Sequence, residues 1–339
     1  MEVFQSLVKK LMALIGILFL LILVVFFGTL YSDVLWTEPV EEELAVWNPK
    51  EMILENPEAS EIVKKGYLLL TYSSQKMGPL NPNPKQRFTG NNLSCTNCHL
   101  NGGTQTGAAS WIGIHKRFPQ FGGRANAIGT LEERINGCME RSMNGVALPD
   151  DAPQMKAMIA YMEFLEKGLP KLNKEVFKGY PNIAIPNKVV DLEKGKLIYA
   201  KECALCHGEN GAGMRYSETE KGYQYPPLWG SDTYNDGAGM HRVLTAAAFI
   251  KNNMPYLQAT WEEPKLSDEE AYHVAGYINS FERPKKINTE KDYPDKKLKP
   301  VSTPYGPWTD PFTAEQHKYG PFPPIIKYYK ETYNIEKTK

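Results

Sequence analysis

The sequence predicts a mostly α-helical chain made of two tandem domains of like layout behind an N-terminal transmembrane helix. Three observations carry that prediction. The pattern C-x-x-C-H occurs twice, as "CTNCH" at 95–99 and "CALCH" at 203–207. Each copy is flanked by stretches with apolar residues at helical spacing. An uncharged, mostly apolar run, "LMALIGILFLLILVVFFGTL", fills residues 11–30. At 339 residues, 42% hydrophobic and 23% charged, the chain is long enough for two globular domains of ordinary size. A formal net charge of zero argues against a nucleic-acid partner held by phosphate contacts.

In chain order, the apolar run comes first. At about 1.5 Å of rise per residue it spans the roughly 30 Å hydrocarbon core. Lys9 and Lys10 precede it, and Asp33, Glu38, Glu41, Glu42 and Glu43 follow. That bias keeps the N-terminus in the cytoplasm and places the rest on the periplasmic side of a bacterial inner membrane. A cleaved signal peptide is the alternative, but it calls for a shorter apolar region and a small-residue cleavage site. No such site precedes Trp36, so residues 1–36 read as an anchor.

The two domains then repeat one plan. Helices with a Gly-aromatic element, "EIVKKGYLLLTY" (61–72) and "DLEKGKLIYAKECALCH" (191–207), lead into the cysteine motifs, and the first carries an insertion before its cysteines. Downstream, "APQMKAMIAYMEFLEKG" and "SDEEAYHVAGYINSFE" show helical periodicity behind acidic starts, which favour helix N-termini. The expected division is a first domain at 37–170, a Pro-punctuated linker at 171–187, a second domain at 188–284 and a C-terminal strap at 285–339. The strap is proline-rich, but Tyr305, Trp308, Phe312, Tyr319 and Phe322 are too many aromatics for a solvated tail.

Outside the cytoplasm, thiols are oxidised or otherwise occupied. C-x-x-C-H is the c-type haem attachment sequence, in which two thiols bond covalently to the porphyrin and the histidine ligates iron. A disulfide within each pair would not need His99 and His207, and a zinc site would not place both histidines alike. The cofactors expected are therefore two covalently bound c-type haems, on Cys95, Cys98 and His99 and on Cys203, Cys206 and His207. Helix, haem motif, loop and helix make each domain class I cytochrome c-like.

Each iron has a sixth position, and its occupant sets reactivity and potential. For the second haem, Met254 in "FIKNNMPY" is a Met-Pro in a loop before the last helix, and it is the expected ligand. Lys251 and His241 are the alternatives, both read as solvated surface groups. Setting "IAYM" (159–162) on "VAGY" (274–277) carries position 254 to position 139, one residue past Cys138. Cys138 is the fifth cysteine, outside both motifs. Loop register alone does not choose between Cys138 and Met139. Iron favours the thiolate of a thiol whose free pKa is roughly 8.5, and a free thiol in an oxidising compartment is a liability, so Cys138 is preferred.

Cations surround that position. From Leu100 to Leu131 the chain has Lys116, Arg117 and Arg124 but no Asp or Glu. Arg134 and Arg141 flank Cys138 at spacings that share a helix face. Arginine's planar fork suits oxyanions, so Arg124 and Arg134 read as substrate contacts. Arg141, beside Glu140, reads as a solvated charge.

The segments "SCTNCHLNGG", "RFPQFGGRANAIGTLEERINGCMERSMNG", "FIKNNMP" and "PYGPWTDPFTAEQHKYGPF" resemble the dihaem thiosulfate dehydrogenase / tetrathionate reductase family of cytochromes c. The resemblance runs from about residue 60 to 325. It implies His99/Cys138 ligation at a catalytic first haem and His207/Met254 ligation at a second haem that relays electrons. It further implies a substrate pocket with Arg124, Arg134, Ser142 and Gln105, and a cysteine S-thiosulfonate intermediate on Cys138. Thiosulfate, tetrathionate and a c-type cytochrome or other redox partner are the implied partners. Asn253 stands where some members have lysine, and the long anchor departs from members exported as soluble proteins. Two rival readings remain: a non-catalytic electron-transfer cytochrome, and an enzyme that loads thiosulfate onto a carrier-protein cysteine.

Overall fold

A computed structural model describes residues 1–30, 48–57, 59–166, 178–216 and 222–338. The acidic residues from Asp33 to Glu43 and the linker residues 171–177 lie outside the described residues. The chain divides into two units, Met1–Trp47 and Asn48–Lys339.

In the first unit, helix α1 (Glu2–Leu30) is apolar all round over its second half and has the length and composition to cross a membrane. A helix of that pattern needs either a protein core or lipid around it. Its large apolar side chains are exposed, Leu11, Phe19 and Val25 among them.

The second unit holds the repeat. Helix α2 (Glu61–Thr71) packs on α4 (Pro153–Phe164), with α3 (Leu131–Met139) between them in sequence. In the second half, α5 (Leu192–Glu202) packs on α7 (Asp268–Ser280), and α6 (Val243–Asn253) also packs on α7. One device serves both crossings. A Cβ on Gly66 would overlap the carbonyl oxygen of Ala157, and a Cβ on Gly195 would overlap that of His273. Neither glycine has a positive φ, so close backbone approach is what the glycines permit. The Gly-aromatic element of the sequence is thus the contact point of first and last helix in each domain. Tyr67 meets Tyr161 edge to face with centroids 5.7 Å apart, and Tyr199 meets Tyr277 at 5.6 Å.

Two short antiparallel ladders, absent from the sequence reading, interrupt the helical plan. β1 (Gln120–Gly122) pairs with β2 (Ala127–Gly129), and β3 (Met214–Arg215) pairs with β4 (Tyr223–Tyr225).

The strap is ordered and docked. Its last helix, α8 (Pro323–Tyr333), buries Ile325 and Tyr329 in the second domain's core beside Phe322. The buried His317 holds it down: Nδ1 donates to the Val301 carbonyl at 2.8 Å and Nε2 meets Asp310 at 2.9 Å. Trp308 stacks on the same imidazole at 4.4 Å.

Candidate active site

Helix α3 is set by its start. Thr130 and Glu133 form a capping box in which each side chain accepts from the other's backbone N–H, at 3.3 and 2.8 Å. Glu133 is thereby occupied at the cap. Arg134 and Cys138 follow one turn apart on one face, and Arg134 Nη1 donates to Cys138 Sγ at 2.8 Å.

Cys138 and His99 line one cavity together with Cys95, Cys98, Arg134 and Ser142. Methionines make much of the wall, and the second domain contributes Tyr234 and Met240. His99 Nδ1 donates to the Ala109 carbonyl at 2.7 Å, which fixes the ring with Nε2 toward Cys138, the pair of donors that would hold an iron between them. Trp111 packs on the ring at 4.9 Å.

The three thiols here titrate in opposite directions. Burial pushes Cys95 up to about 11 and Cys98 up to about 12. Burial also raises Cys138, but the Arg134 charge and the hydrogen bond from His99 outweigh it and bring Cys138 down to about 6. The direction of the shift sets Cys138, which has a cation beside it, apart from the two cysteines of the haem motif. Met139 also lines the cavity, but it is 1% exposed and packs as core, whereas Cys138 carries the polar contacts.

The second haem motif is built alike. His207 Nδ1 donates to the Pro226 carbonyl at 2.7 Å, and burial keeps its imidazole below the usual range, hence neutral and ready to ligate. Met254 leaves the end of α6 and borders the second core with Cys203, Ala204 and Trp229. The alternative ligands are engaged elsewhere, and neither is a solvated surface group. Lys251 donates to Asp268 at 2.6 Å, and His241 Nδ1 donates to the Asp236 carbonyl at 3.0 Å.

Other expected site residues take different positions. Arg124 does not line the cavity. Its Nη1 donates to Asp292 at 2.7 Å, to the Gly237 carbonyl and to Tyr305. Arg141 is not a solvated charge: its side chain is 14% exposed, and Nη2 donates to the other Asp292 oxygen at 2.8 Å. Gln105 lies toward the second haem motif, with Nε2 donating to Asn253 Oδ1 at 3.0 Å, beside Met254. Asp292 escaped the sequence reading because its two arginine partners stand far away along the chain. Arg242, which opens α6, escaped as well; burial, with Arg124 and Arg134 nearby, holds its guanidinium below the usual range. Tyr180, from the segment read as linker, lies near enough to Cys98, Cys138 and Arg134 to feel their charges.

Both motifs fit a c-type haem by the chemistry of their donors: two thiols, an imidazole with one nitrogen tied to a carbonyl, and a second sulfur nearby. Residues 85–170 match the SoxA/TsdA cytochrome c domain family, and residues 190–278 match the family described as cytochrome c oxidase, cbb3-type, subunit III. The chain is similar to the thiosulfate dehydrogenase of Stutzerimonas stutzeri, with 41% identity over 58% of this chain and 62% of that one. It is 36% identical to the thiosulfate dehydrogenase of Psychrobacter arcticus, over 73% of this chain and 71% of the relative. With that of Allochromatium vinosum it shares 40% identity, over 58% and 72%. Among solved structures, the thiosulfate dehydrogenase (TsdBA) of Marichromatium purpuratum matches with a TM-score of 0.59 and 34% identity, over 67% of this chain and 47% of that one. The match thus spans less than two thirds of the Stutzerimonas relative and under half of the solved chain. Two cytochrome c domains carry two covalently bound c-type haems. With this extent of identity joined to the two domain matches, the chain belongs to the thiosulfate dehydrogenase family of dihaem cytochromes c.

Proposed function

We propose that the chain oxidises two thiosulfate ions to one tetrathionate and runs the same reaction in reverse, with Cys138 as the nucleophile toward sulfur. The observation that carries this reading is Arg134 Nη1 at 2.8 Å from Cys138 Sγ, opposite His99 in one cavity. When bound, the haems would supply one-electron acceptors; His99 and Cys138 would hold the first and His207 and Met254 the second.

In the forward direction, a bond forms between Cys138 Sγ and the terminal sulfur of thiosulfate as two electrons leave. The product is a cysteine S-thiosulfonate. The terminal sulfur of a second thiosulfate then attacks the sulfur bonded to Cys138, and the cysteine thiolate departs. Tetrathionate leaves with Cys138 restored, and sulfur, charge and two electrons balance. The step has the form of thiol–disulfide exchange. In each step a thiosulfate dianion must approach an anion on Cys138, first the thiolate and then the S-thiosulfonate, and repulsion costs about 1 kcal/mol per unit-charge pair at 4 Å in water, more in a drier site. Arg134, already aimed at the reacting sulfur, offsets it. Ser142 lines the same cavity and adds a neutral donor.

Thiosulfate-dependent ferricyanide reduction, run beside tetrathionate-dependent oxidation of a reduced dye, tests the reading. Absence of both would return the chain to a pure electron-transfer role. We further propose that α1 anchors the chain, with the haem domains on the periplasmic side. Recovery of full-length chain only in detergent extracts supports the anchor, and a soluble form lacking α1 would replace it by a cleaved signal.

A further inference from the structure

Arg283 lies three residues beyond the end of α7 and is 6% exposed. Its guanidinium sits 4.4 Å from the centroid of the Tyr234 ring, and Nη2 donates to the Ile278 carbonyl at 3.1 Å. Nε and Nη1 are buried without a hydrogen-bond partner. A buried cation with two unspent donors is costly, and native chains keep one where another group completes it.

Among the described residues no carboxylate forms an ion pair with it. Asp236 accepts from the Lys286 backbone N–H at 2.7 Å and stands 3.7 Å from Lys285. Glu282 projects to solvent, with its side chain 93% exposed. Arg283 is linked through its neighbours toward both haem sites. On one side, Tyr234 lines the cavity that holds His99 and Cys138. On the other, Phe281 stacks on Trp229 with centroids 4.1 Å apart, and Trp229 closely follows the Pro226 carbonyl that holds His207.

We propose that Arg283 is the buried counter-charge of a haem propionate, with Nε and Nη1 donating to its carboxylate oxygens. A charged, hydrogen-bonded arginine–carboxylate pair is the arrangement that both buried groups require. Either haem can supply the carboxylate, and the experiment separates the two. A ferrous haem carries one positive charge fewer than a ferric one, so a cation fixed at the propionate favours reduction. Arg283 therefore raises the potential of the haem it serves.

The test uses full-length holoprotein with Arg283→Gln and Arg283→Lys, counted for two haems and titrated by spectroelectrochemistry without substrate. In the Gln variant one haem's midpoint should fall by about a tenfold change in its oxidised-to-reduced ratio, about 59 mV for one electron. The Lys variant should recover most of it. A fall confined to the haem with the methionine-to-iron band assigns the propionate to the second haem, and a fall in the other assigns it to the first. Unchanged midpoints for both haems in the Gln variant would overturn the proposal and leave Arg283 as packing on Tyr234. If the Gln variant does not accumulate with two haems, resonance Raman of the Lys variant decides. Propionate bending bands should shift for one haem, and bands identical to those of the native chain would overturn the proposal equally. Because no substrate is present, the result stands apart from whether the chain turns over thiosulfate.

Discussion

Arg134 and Cys138 form a unit in which one guanidinium donates to a thiol and lowers it; in the proposed reaction it would also face the anions that the thiol attacks. Replacing Cys138 by Ala removes the nucleophile in both directions of the proposed reaction, so thiosulfate oxidation and tetrathionate reduction should fall together by about 10³-fold or more. Haem content should stay at two, because attachment uses the other four cysteines, and the first haem's thiolate spectrum should disappear. Arg134→Ala leaves the nucleophile but removes a charge-assisted contact of about 1.5–3 kcal/mol, so kcat/KM should fall roughly ten- to hundredfold with the thiolate spectrum kept. The repeat pointed to the neighbourhood of Cys138 and Met139, and the chemistry of a thiol outside the cytoplasm preferred the cysteine; the fold sets Cys138 beside Arg134 and His99 in one cavity. The places of Arg124 and Arg141 were not legible in the sequence, because Asp292, which holds them, lies 168 and 151 residues further along the chain. A local charge pattern showed cations near a thiol; only the folded chain shows which of them are already taken.

Among the elements, the helices were readable and their crossings were half-readable. Periodicity placed α2, α4, α5 and α7 within a few residues of their observed limits, because each needs one continuous apolar face. The Gly-aromatic element was visible, but only the fold shows that its glycine is the crossing point, and nothing local announced the β1–β2 and β3–β4 ladders. If Gly195 permits the α5–α7 approach, Gly195→Val should lower the melting temperature, since the obstructing atom is backbone; overpacking of this kind costs about 1–3 kcal/mol. The same change at the half-buried Gly137 should be milder, with no neighbour within 4 Å of its Cβ position. The strap is held by Asp292, whose carboxyl burial would raise but Arg124, Tyr305 and Arg141 keep below its ordinary value. A depressed carboxylate adds stability that is full above the unfolded pKa, about 3.9, and is lost as pH falls below it. Asp292→Asn should therefore cost about 3 kcal/mol at pH 7, as for a broken buried pair. The gap between native and variant chain in thermal melts should shrink as the pH is taken below 4; a gap that stays constant would remove the charge from the explanation.

Over the whole second unit, the two halves are stitched by buried amides. Asn91 donates to the Ser142 carbonyl at 2.9 Å and to the Thr233 carbonyl at 3.1 Å, so one side chain ties the loop after α3 to the second domain. Asn253 does the reverse, reaching from the end of α6 to the Gly107 carbonyl at 3.0 Å while its Oδ1 accepts from Gln105. The family resemblance counts Gln105 with the substrate pocket, yet its side chain is spent beside Met254, so two locations make two different forecasts for Gln105→Ala. A pocket residue would raise KM for thiosulfate and leave the second haem's spectrum alone. A residue that braces Asn253 leaves KM unchanged, because the first cavity keeps Arg134, Cys138 and Ser142. It alters the second haem instead: with Oδ1 unpaired, the turn that delivers Met254 loosens, and the methionine-to-iron charge-transfer band should weaken or its haem's midpoint shift. The geometry favours the second outcome. Steady-state kinetics and a redox titration on one preparation of the variant decide it, and a raised KM with an unchanged band would put Gln105 back in the pocket.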